Sequence, residues 1–276
     1  MKVSRIRCKS ALSRSGLYDL DYSYNPYLGC YHGCRYCYSV SILSRELALD
    51  WGNFVFVKEN VIEVLRQEVL RKKRGVVGVS TASDPYQPVE KEHELTRRGI
   101  EVLRGSGFHV SIQTRSPLVL RDADLIKGPG FDLGVTITTL DEWVARKVEP
   151  KSPKPLERAK VLEEYSGKVD TWLFFGPIIP FLADGEDNVR AVVKLASKCG
   201  SHLLYDKLRV KRWIPLLLRP ALEGIEEGLY ERVMNRVRDQ KYWQGIFGTI
   251  ERACRDYGVR CEPSMPSYAR PKYKRL

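Results

Sequence analysis

Residues 75–104, GVVGVSTASDPYQPVEKEHELTRRGIEVLR, hold the repeating unit of the chain. Gly75–Ser80 is a β-branched run that predicts a buried strand, and Glu92–Arg104 predicts a helix. Between them lies Thr81–Glu90, polar and broken by two prolines. The unit recurs outward from this stretch. Downstream, strands are predicted at His109–Gln113, Leu133–Thr138, Val169–Phe175 and His202–Tyr205, with helices at Leu118–Ile126, Leu140–Val148, Pro155–Tyr165 and Asn188–Lys198. Upstream, Phe54–Val57 has strand character, Val61–Lys73 has apolar residues at helical spacing, and Ser39–Leu49 reads as a helix. Such alternation predicts βα units around a parallel sheet. About six units are present, fewer than the eight of a closed barrel. The expected fold is α/β, a partial (β/α)6 TIM-type barrel with a small helical C-terminal extension.

The flanks differ from this pattern. Residues 1–29 are polar and irregular. After Asp206 the alternation stops, helices are predicted at Leu222–Arg238 and Lys241–Tyr257, and a basic tail, Pro263–Leu276, follows. The expected division is a core over residues 1–206 and a helical accessory region over 207–276. In parallel βα folds the site lies at the carboxyl ends of the strands. The polar stretches Thr81–Glu90, Thr114–Ser116 and Thr136–Asp141 each follow a predicted strand.

The net charge is +12, from 46 Lys+Arg against 34 Asp+Glu in 276 residues. That balance suggests an anionic partner, nucleic acid first among them. No apolar run approaches the roughly 18 residues needed to cross a bilayer. The N-terminus, MKVSRIRCKSALSRSG, lacks the apolar core of a secretory signal. A cytoplasmic location without a membrane partner is expected. Seven cysteines at uneven spacing do not form a disulfide framework.

Three of those seven fall within the loop Gly29-Cys30-Tyr31-His32-Gly33-Cys34-Arg35-Tyr36-Cys37-Tyr38. Thiolates at C-x3-C-x2-C spacing can wrap one face of a cuboidal iron–sulfur cluster. Cys30, Cys34 and Cys37 are therefore the candidate metal ligands, and three ligands leave one iron open to a substrate or cofactor. The alternative is zinc, which takes four ligands; His32 is the nearest fourth donor, and no second CxxC exists.

The loop resembles the C-x3-C-x-aromatic-C signature of the radical S-adenosylmethionine (SAM) superfamily, with Tyr36 at the aromatic position. The resemblance implies a 4Fe-4S cluster whose open iron chelates SAM. It also implies one-electron cleavage to a 5′-deoxyadenosyl radical that abstracts hydrogen from substrate, and an electron donor such as a ferredoxin or flavodoxin. Over about residues 8–206 the likeness narrows. Tyr24–Cys30, Ser83–Glu90, Leu95–Arg97, Thr114–Leu118 with Arg121-Asp122, and Glu149-Pro150 resemble the spore photoproduct lyase-like branch, often labelled DNA repair photolyases. That lyase uses a cysteine hydrogen donor after the second strand, where this chain has Thr81. A Thr O–H is a far poorer hydrogen-atom donor, so the chain departs from the lyase itself. The resemblance also implies SAM-contacting positions at Tyr36, Ser83, Arg115 and Thr136. Arg115 would pair bidentately with the SAM carboxylate, and Thr136 would reach the ribose. Ser83 and Asp84 also fit a plain turn before Pro85, and Thr136 an ordinary strand residue.

Glu90 and Glu149 are candidate polar contacts, Glu90 reading equally as a solvated carboxylate at a helix start. Asp141 reads as a helix cap. Cys8, Cys199, Cys254 and Cys261 read as buried small hydrophobes, with Cys261 the best outside candidate for a hydrogen donor. Basic stretches at Lys207–Trp213 and Arg270–Arg275 carry Trp213 and Tyr273, which could stack a base. Phe174–Phe181 reads as a wall over the site that keeps water out. The expected function is a radical SAM enzyme that repairs DNA or modifies RNA. A radical SAM enzyme acting on protein or peptide is the alternative, and a non-catalytic metal-stabilised nucleic-acid-binding protein comes third.

Overall fold

The computed structural model describes residues 1–265. The basic stretch Arg270–Arg275 with Tyr273 lies outside the described residues. In chain order the strands and helices are β1 Lys2–Ile6, β2 Leu12–Arg14, β3 Tyr22–Tyr24, β4 Tyr27–Leu28, α1 Arg45–Leu49, β5 Phe54–Lys58, α2 Val61–Val69, β6 Val76–Val79, α3 Glu90–His93 and α4 Leu95–Gly105. They continue through β7 His109–Thr114, β8 Phe131–Thr136, α5 Glu142–Val148, α6 Pro155–Tyr165, β9 Asp170–Ile178, α7 Glu186–Lys198 and β10 His202–Lys207 to α8 Ile214–Glu223, α9 Leu229–Val237, α10 Gln240–Asp256 and β11 Cys261–Pro263.

The main sheet has eight strands in the order β11-β10-β9-β8-β7-β6-β3-β2. All neighbours are parallel except β2 and β3. The edges β2 and β11 do not pair with one another, so the barrel stays open. Side chains alternate across the sheet. On the outer face Val110, Ile112, Leu133, Val135, Leu173 and Phe175 are buried against the helices. The opposite, concave face takes Ser111, Gln113, Asp132, Thr136 and Trp172, as the register Ser111↔Asp132, Gln113↔Gly134 and Gly134↔Trp172 requires. Gly134 makes room there: a Cβ on it would lie 2.3 Å from the Trp172 indole.

Helices form where one stripe is apolar. Val61, Ile62, Leu65 and Val69 are the buried residues of α2, and burying such a stripe stabilises a helix far more than its propensity does. Asp141 caps α5 as expected, accepting from Trp143 N at 2.8 Å and Val144 N at 3.0 Å. A second apolar cluster sits under the cysteine loop, where Tyr36, Val40, Leu43 and Trp51 meet Ile214, Leu218, Leu222 and Val233 from α8 and α9.

Several boundaries differ from the expectation. Residues 1–29 hold four strands, too short and too mixed in polarity to show period-two alternation. Ser39–Leu49 is a 3-10 turn over Tyr38–Ile42 followed by α1, with Ser44 accepting from Leu47 N at the new start. Leu118–Ile126 is a 3-10 turn over Pro117–Asp122, begun by a proline that lacks an N–H. Phe54–Val57 belongs to a separate sheet, β1-β5-β4, so the parallel sheet does not include it. Leu222–Arg238 is the end of α8 and all of α9, parted at Gly224–Gly228. Beyond the predicted helices, β11 joins the main sheet beside β10.

Candidate cofactor-binding site

The cysteine loop leaves β4, in the small sheet, and is fastened to the connections that follow β6, β7 and β8 at the carboxyl ends of those strands. Gly29 turns it at φ +92°, and a Cβ there would lie 2.6 Å from the Phe54 carbonyl oxygen, so only glycine fits. Gln87, in the β6–α3 connection, donates to Gly29 O at 3.2 Å and accepts from Tyr31 N at 2.9 Å. Asn25, after β3, holds the start of the same connection, accepting from Ser80 Oγ, Thr81 N and Ala82 N at 2.6–2.9 Å. On the far side Arg35 N donates to Val148 O at 2.8 Å.

Cys30 and Cys34 are buried and Cys37 is partly so. Burial pushes all three thiols up, Cys34 to about 11, and each of Cys30 and Cys34 is raised further by a neighbouring cysteine's charge. Such groups bind as thiolates only when a cationic metal group takes their charge. Among the described residues no three His, Cys, Asp or Glu side chains form a group able to hold one metal ion. The donor set is three soft thiols along a loop, chemistry suited to an iron–sulfur group. His32 is not a fourth ligand on this geometry. Its ring is buried with Nε2 3.3 Å from Asp84 Oδ2 and Nδ1 3.4 Å from Lys151 O.

Asp84 ties the connection after β6 to the one after β7. It accepts from Tyr86 N at 2.9 Å, the expected turn, and also from Thr114 Oγ1 at 2.7 Å and Arg115 N at 2.8 Å. Burial alone would raise its carboxyl; the neighbouring His32 and the bonds from Arg115 and Thr114 bring it down to about 2. Glu149, just after α5, ties the connection after β8 to the cysteine loop. Its carboxylate lies 2.5 Å from Arg158 Nη2 and 3.6 Å from Arg115 Nε, and it accepts from Tyr36 Oη and Thr138 Oγ1. Burial raises this carboxyl too, but Arg158, Arg115 and the Tyr36 hydroxyl outweigh it and bring it to about 2.

Tyr36 and Arg115 come together at the centre. The Arg115 guanidinium lies 5.9 Å from the Tyr36 ring centroid and donates to Tyr36 Oη at 3.3 Å. Its Nε is buried with no hydrogen-bond acceptor. The Glu149 carboxylate faces that Nε at 3.6 Å, too far for a hydrogen bond, so the guanidinium keeps donor capacity that an anionic ligand group could take. Ser83 is half-buried, its Oγ 3.5 Å from Tyr27 O and 3.4 Å from Ser80 Oγ. Thr136 is fully buried on the concave face, where it accepts from Gln113 Nε2 at 3.0 Å.

Other candidates fall away from this centre. Glu90 is not a solvated carboxylate. It is fully buried, accepting from Tyr27 Oη, Thr96 N, Arg97 N and Arg121 Nη2 at 2.5–3.1 Å, which fills its acceptor sites. Cys261 pairs in register with Leu203 near the amino end of β10, opposite the loop. Trp213 does not stand free to stack a base. Its Nε1 donates to Leu43 O at 3.0 Å, its ring joins the second apolar cluster, and Arg212 lies 4.5 Å from the ring centroid. The sequence reading missed the structural roles of His32, Gln87, Thr138 and Arg158. Arg158 carried a signal: it lies in one stripe with the buried Pro155, Leu162 and Tyr165 of α6, where a charge demands a partner.

Residues 24–204 match the family model of the radical SAM superfamily. The chain belongs to the radical SAM superfamily. The uncharacterized protein MJ0683 of Methanocaldococcus jannaschii is 27% identical over 254 residues, covering 91% of this chain and 94% of that protein. The uncharacterized protein Rv2578c of Mycobacterium tuberculosis is 30% identical over 209 residues, 71% of this chain and 62% of its own length. In fold, this radical SAM chain is similar to a spore photoproduct lyase variant at TM-score 0.75 with 12% identity, covering 95% of this chain and 81% of the lyase. Another lyase variant, at TM-score 0.73 and 11% identity with the same coverage, carries bound AdoMet and dinucleoside spore photoproduct. Among the described residues no helix is long and apolar enough to cross a membrane.

Proposed function

We propose that this protein is a cytoplasmic radical SAM enzyme acting on nucleic acid, with a 4Fe-4S cluster held by Cys30, Cys34 and Cys37. The observation that carries this reading is the three-thiol loop at the carboxyl ends of the strands, beside the buried Arg115 guanidinium, whose Nε makes no hydrogen bond. Held there by Cys30, Cys34 and Cys37, the cluster would supply one-electron reduction of SAM, with a ferredoxin or flavodoxin as the electron source, for hydrogen abstraction from substrate. The chain's residues orient and enclose. Arg115 meets the SAM carboxylate, Tyr36 flanks the cluster, and the hydroxyls of Ser83 and Thr136 bind SAM's polar groups. Thr138 and Glu149 fix Tyr36 through buried hydrogen bonds, and Glu149, paired with Arg158, sets its charge 3.6 Å from Arg115. The net charge of +12 and the arginines and lysine after β10 supply the attraction for phosphates.

Two variants test separate parts. Arg115→Ala is expected to weaken SAM binding on the order of 10–100-fold, the cost of one charge-assisted contact, while iron content stays at the wild-type value. Unchanged SAM affinity by calorimetry would remove Arg115 from the site. Changing Arg209, Lys211 and Arg212 together to Glu is expected to abolish binding of DNA and tRNA without lowering the melting temperature. Wild-type binding should weaken steeply with salt. Failure of the wild type to bind either at low salt would favour a protein or peptide substrate.

A further inference from the structure

Phe181 is displayed where a buried residue would be expected. It sits in the connection after β9, between Ile179 and Ala183, which are 0% and 1% exposed, yet it is itself 47% exposed. Its backbone is in the left-handed region at φ +67°, a conformation that costs a bulky non-glycine residue free energy and persists only when its surroundings enforce it. The surroundings do enforce it. Leu182 N and Ala183 N both donate to Ile179 O, at 3.1 and 2.9 Å. Asn188 Nδ2 donates to Ala183 O at 2.7 Å, and Tyr242 Oη hydrogen-bonds to Asp184. A rigid loop thus holds one aromatic ring outward.

A cation stands over that ring. Arg232, on α9, has its guanidinium 5.6 Å from the Phe181 centroid and is steadied by Glu226 at 2.7 Å. The position is at the carboxyl end of the sheet, the same end as the cysteine loop. The neighbouring connection, after β10, leaves the sheet at its side, with Leu208 N donating to Ile178 O at 3.1 Å. That connection carries Arg209, Lys211 and Arg212. Arg209 is held by Asp206 at 2.9 Å and Arg212 lies over Trp213, so this connection sets positive charge beside an exposed ring with its own guanidinium, the combination that holds single-stranded nucleic acid.

The geometry points to Phe181, with Arg232, as a stacking platform for an unpaired base of a nucleic-acid substrate at the mouth of the barrel. The inference rests on the nucleic-acid reading above and adds the element that selects unpaired over paired bases. A base within a duplex has both faces covered and cannot reach a recessed site unless it is flipped out. The ring offers a flipped or single-stranded base the face that the duplex gave it.

The test is fluorescence anisotropy with labelled single-stranded DNA, single-stranded RNA and duplex DNA of one sequence, at low and moderate salt. The proteins are wild type, Phe181→Asn, Phe181→Trp and Arg232→Gln. Asparagine tolerates the left-handed backbone, so Phe181→Asn should melt no lower than wild type. Wild type is expected to prefer a single strand, DNA or RNA, over duplex. Phe181→Asn is expected to lose roughly 5–100-fold in single-strand affinity, the range for removing one stacked base contact, and to lose the preference over duplex. Phe181→Trp should retain both, and Arg232→Gln should weaken single-strand binding less than Phe181→Asn. Equal single-strand affinity of wild type and Phe181→Asn would overturn the platform while leaving the nucleic-acid reading intact. No binding by wild type to any probe at low salt would overturn both.

Discussion

Replacing Cys34 with Ala, or Cys30 or Cys37, is expected to take anaerobically purified protein from brown to colourless, from about four irons per chain to nearly none. SAM cleavage should vanish with the iron. The expectation follows from the chemistry of the donors rather than from their count alone. All three thiols are pushed up by burial, Cys34 to about 11. Only a strongly cationic group holds them ionised, and two thiolates without the third leave a cluster that is easily lost. Iron and acid-labile sulfide assays on the three variants read the outcome. Retention of a full iron complement in any of them would remove that cysteine from the ligand set.

The largest expected effect on stability is at Arg158. This guanidinium is 1% exposed, lies 2.5 Å from Glu149, and donates to Pro153 O at 2.7 Å and Thr136 O at 3.3 Å. Arg158→Leu would leave the Glu149 carboxylate buried without its main partner, at a cost of about 3–5 kcal/mol. For a chain of this size that lowers the melting midpoint by on the order of 10 °C. The pH dependence separates this cause from lost packing. In wild type the Glu149 and Asp84 carboxyls stand at about 2, below their usual 4.5 and 3.8. Depressed carboxyls contribute stability that is full above the unfolded pKa and lost as pH falls through the folded one, so wild type should weaken between about pH 5 and 2. In Arg158→Leu the main counter-charge is gone, and burial pushes the Glu149 carboxyl up. Protonating it then relieves a buried charge that keeps only the more distant Arg115 as counter-ion. The gap between wild type and variant should therefore narrow on acidification from neutral pH toward about 4. Urea unfolding across that range measures it, and a gap independent of pH would assign the loss to packing alone.

The sequence was legible where its signals are local. The β-branched residues of Gly75–Ser80 and Leu133–Thr138 and the stripe of α2 each declare their element within a few residues, at β6, β8 and α2. So does the cysteine loop, whose spacing is itself the chemistry. Asp141 was legible as a cap because the residues it caps directly follow it. What sequence did not show is what depends on chain folding back. Of the short N-terminal strands, β1 and β4 pair with β5 and β3 pairs with β6, all about thirty to fifty-five residues on, and β2 is held only by β3. Glu149 looked like a ligand contact because its partner Arg158 sits in the next helix, and Asp84 looked like a turn because His32 arrives from another segment. Trp213 and Phe181 exchanged the places their types suggested. The indole is drawn into the apolar cluster under the loop, and the phenyl ring is held out by a connection bonded at both ends.

The most direct measurement of the central claim is 5′-deoxyadenosine formation by the wild-type protein, purified without oxygen, reduced chemically and given SAM. The account predicts that 5′-deoxyadenosine and methionine appear together, with a reduced 4Fe-4S signal in electron paramagnetic resonance that changes when SAM is added. A folded, colourless protein that carries zinc and leaves SAM intact would contradict it.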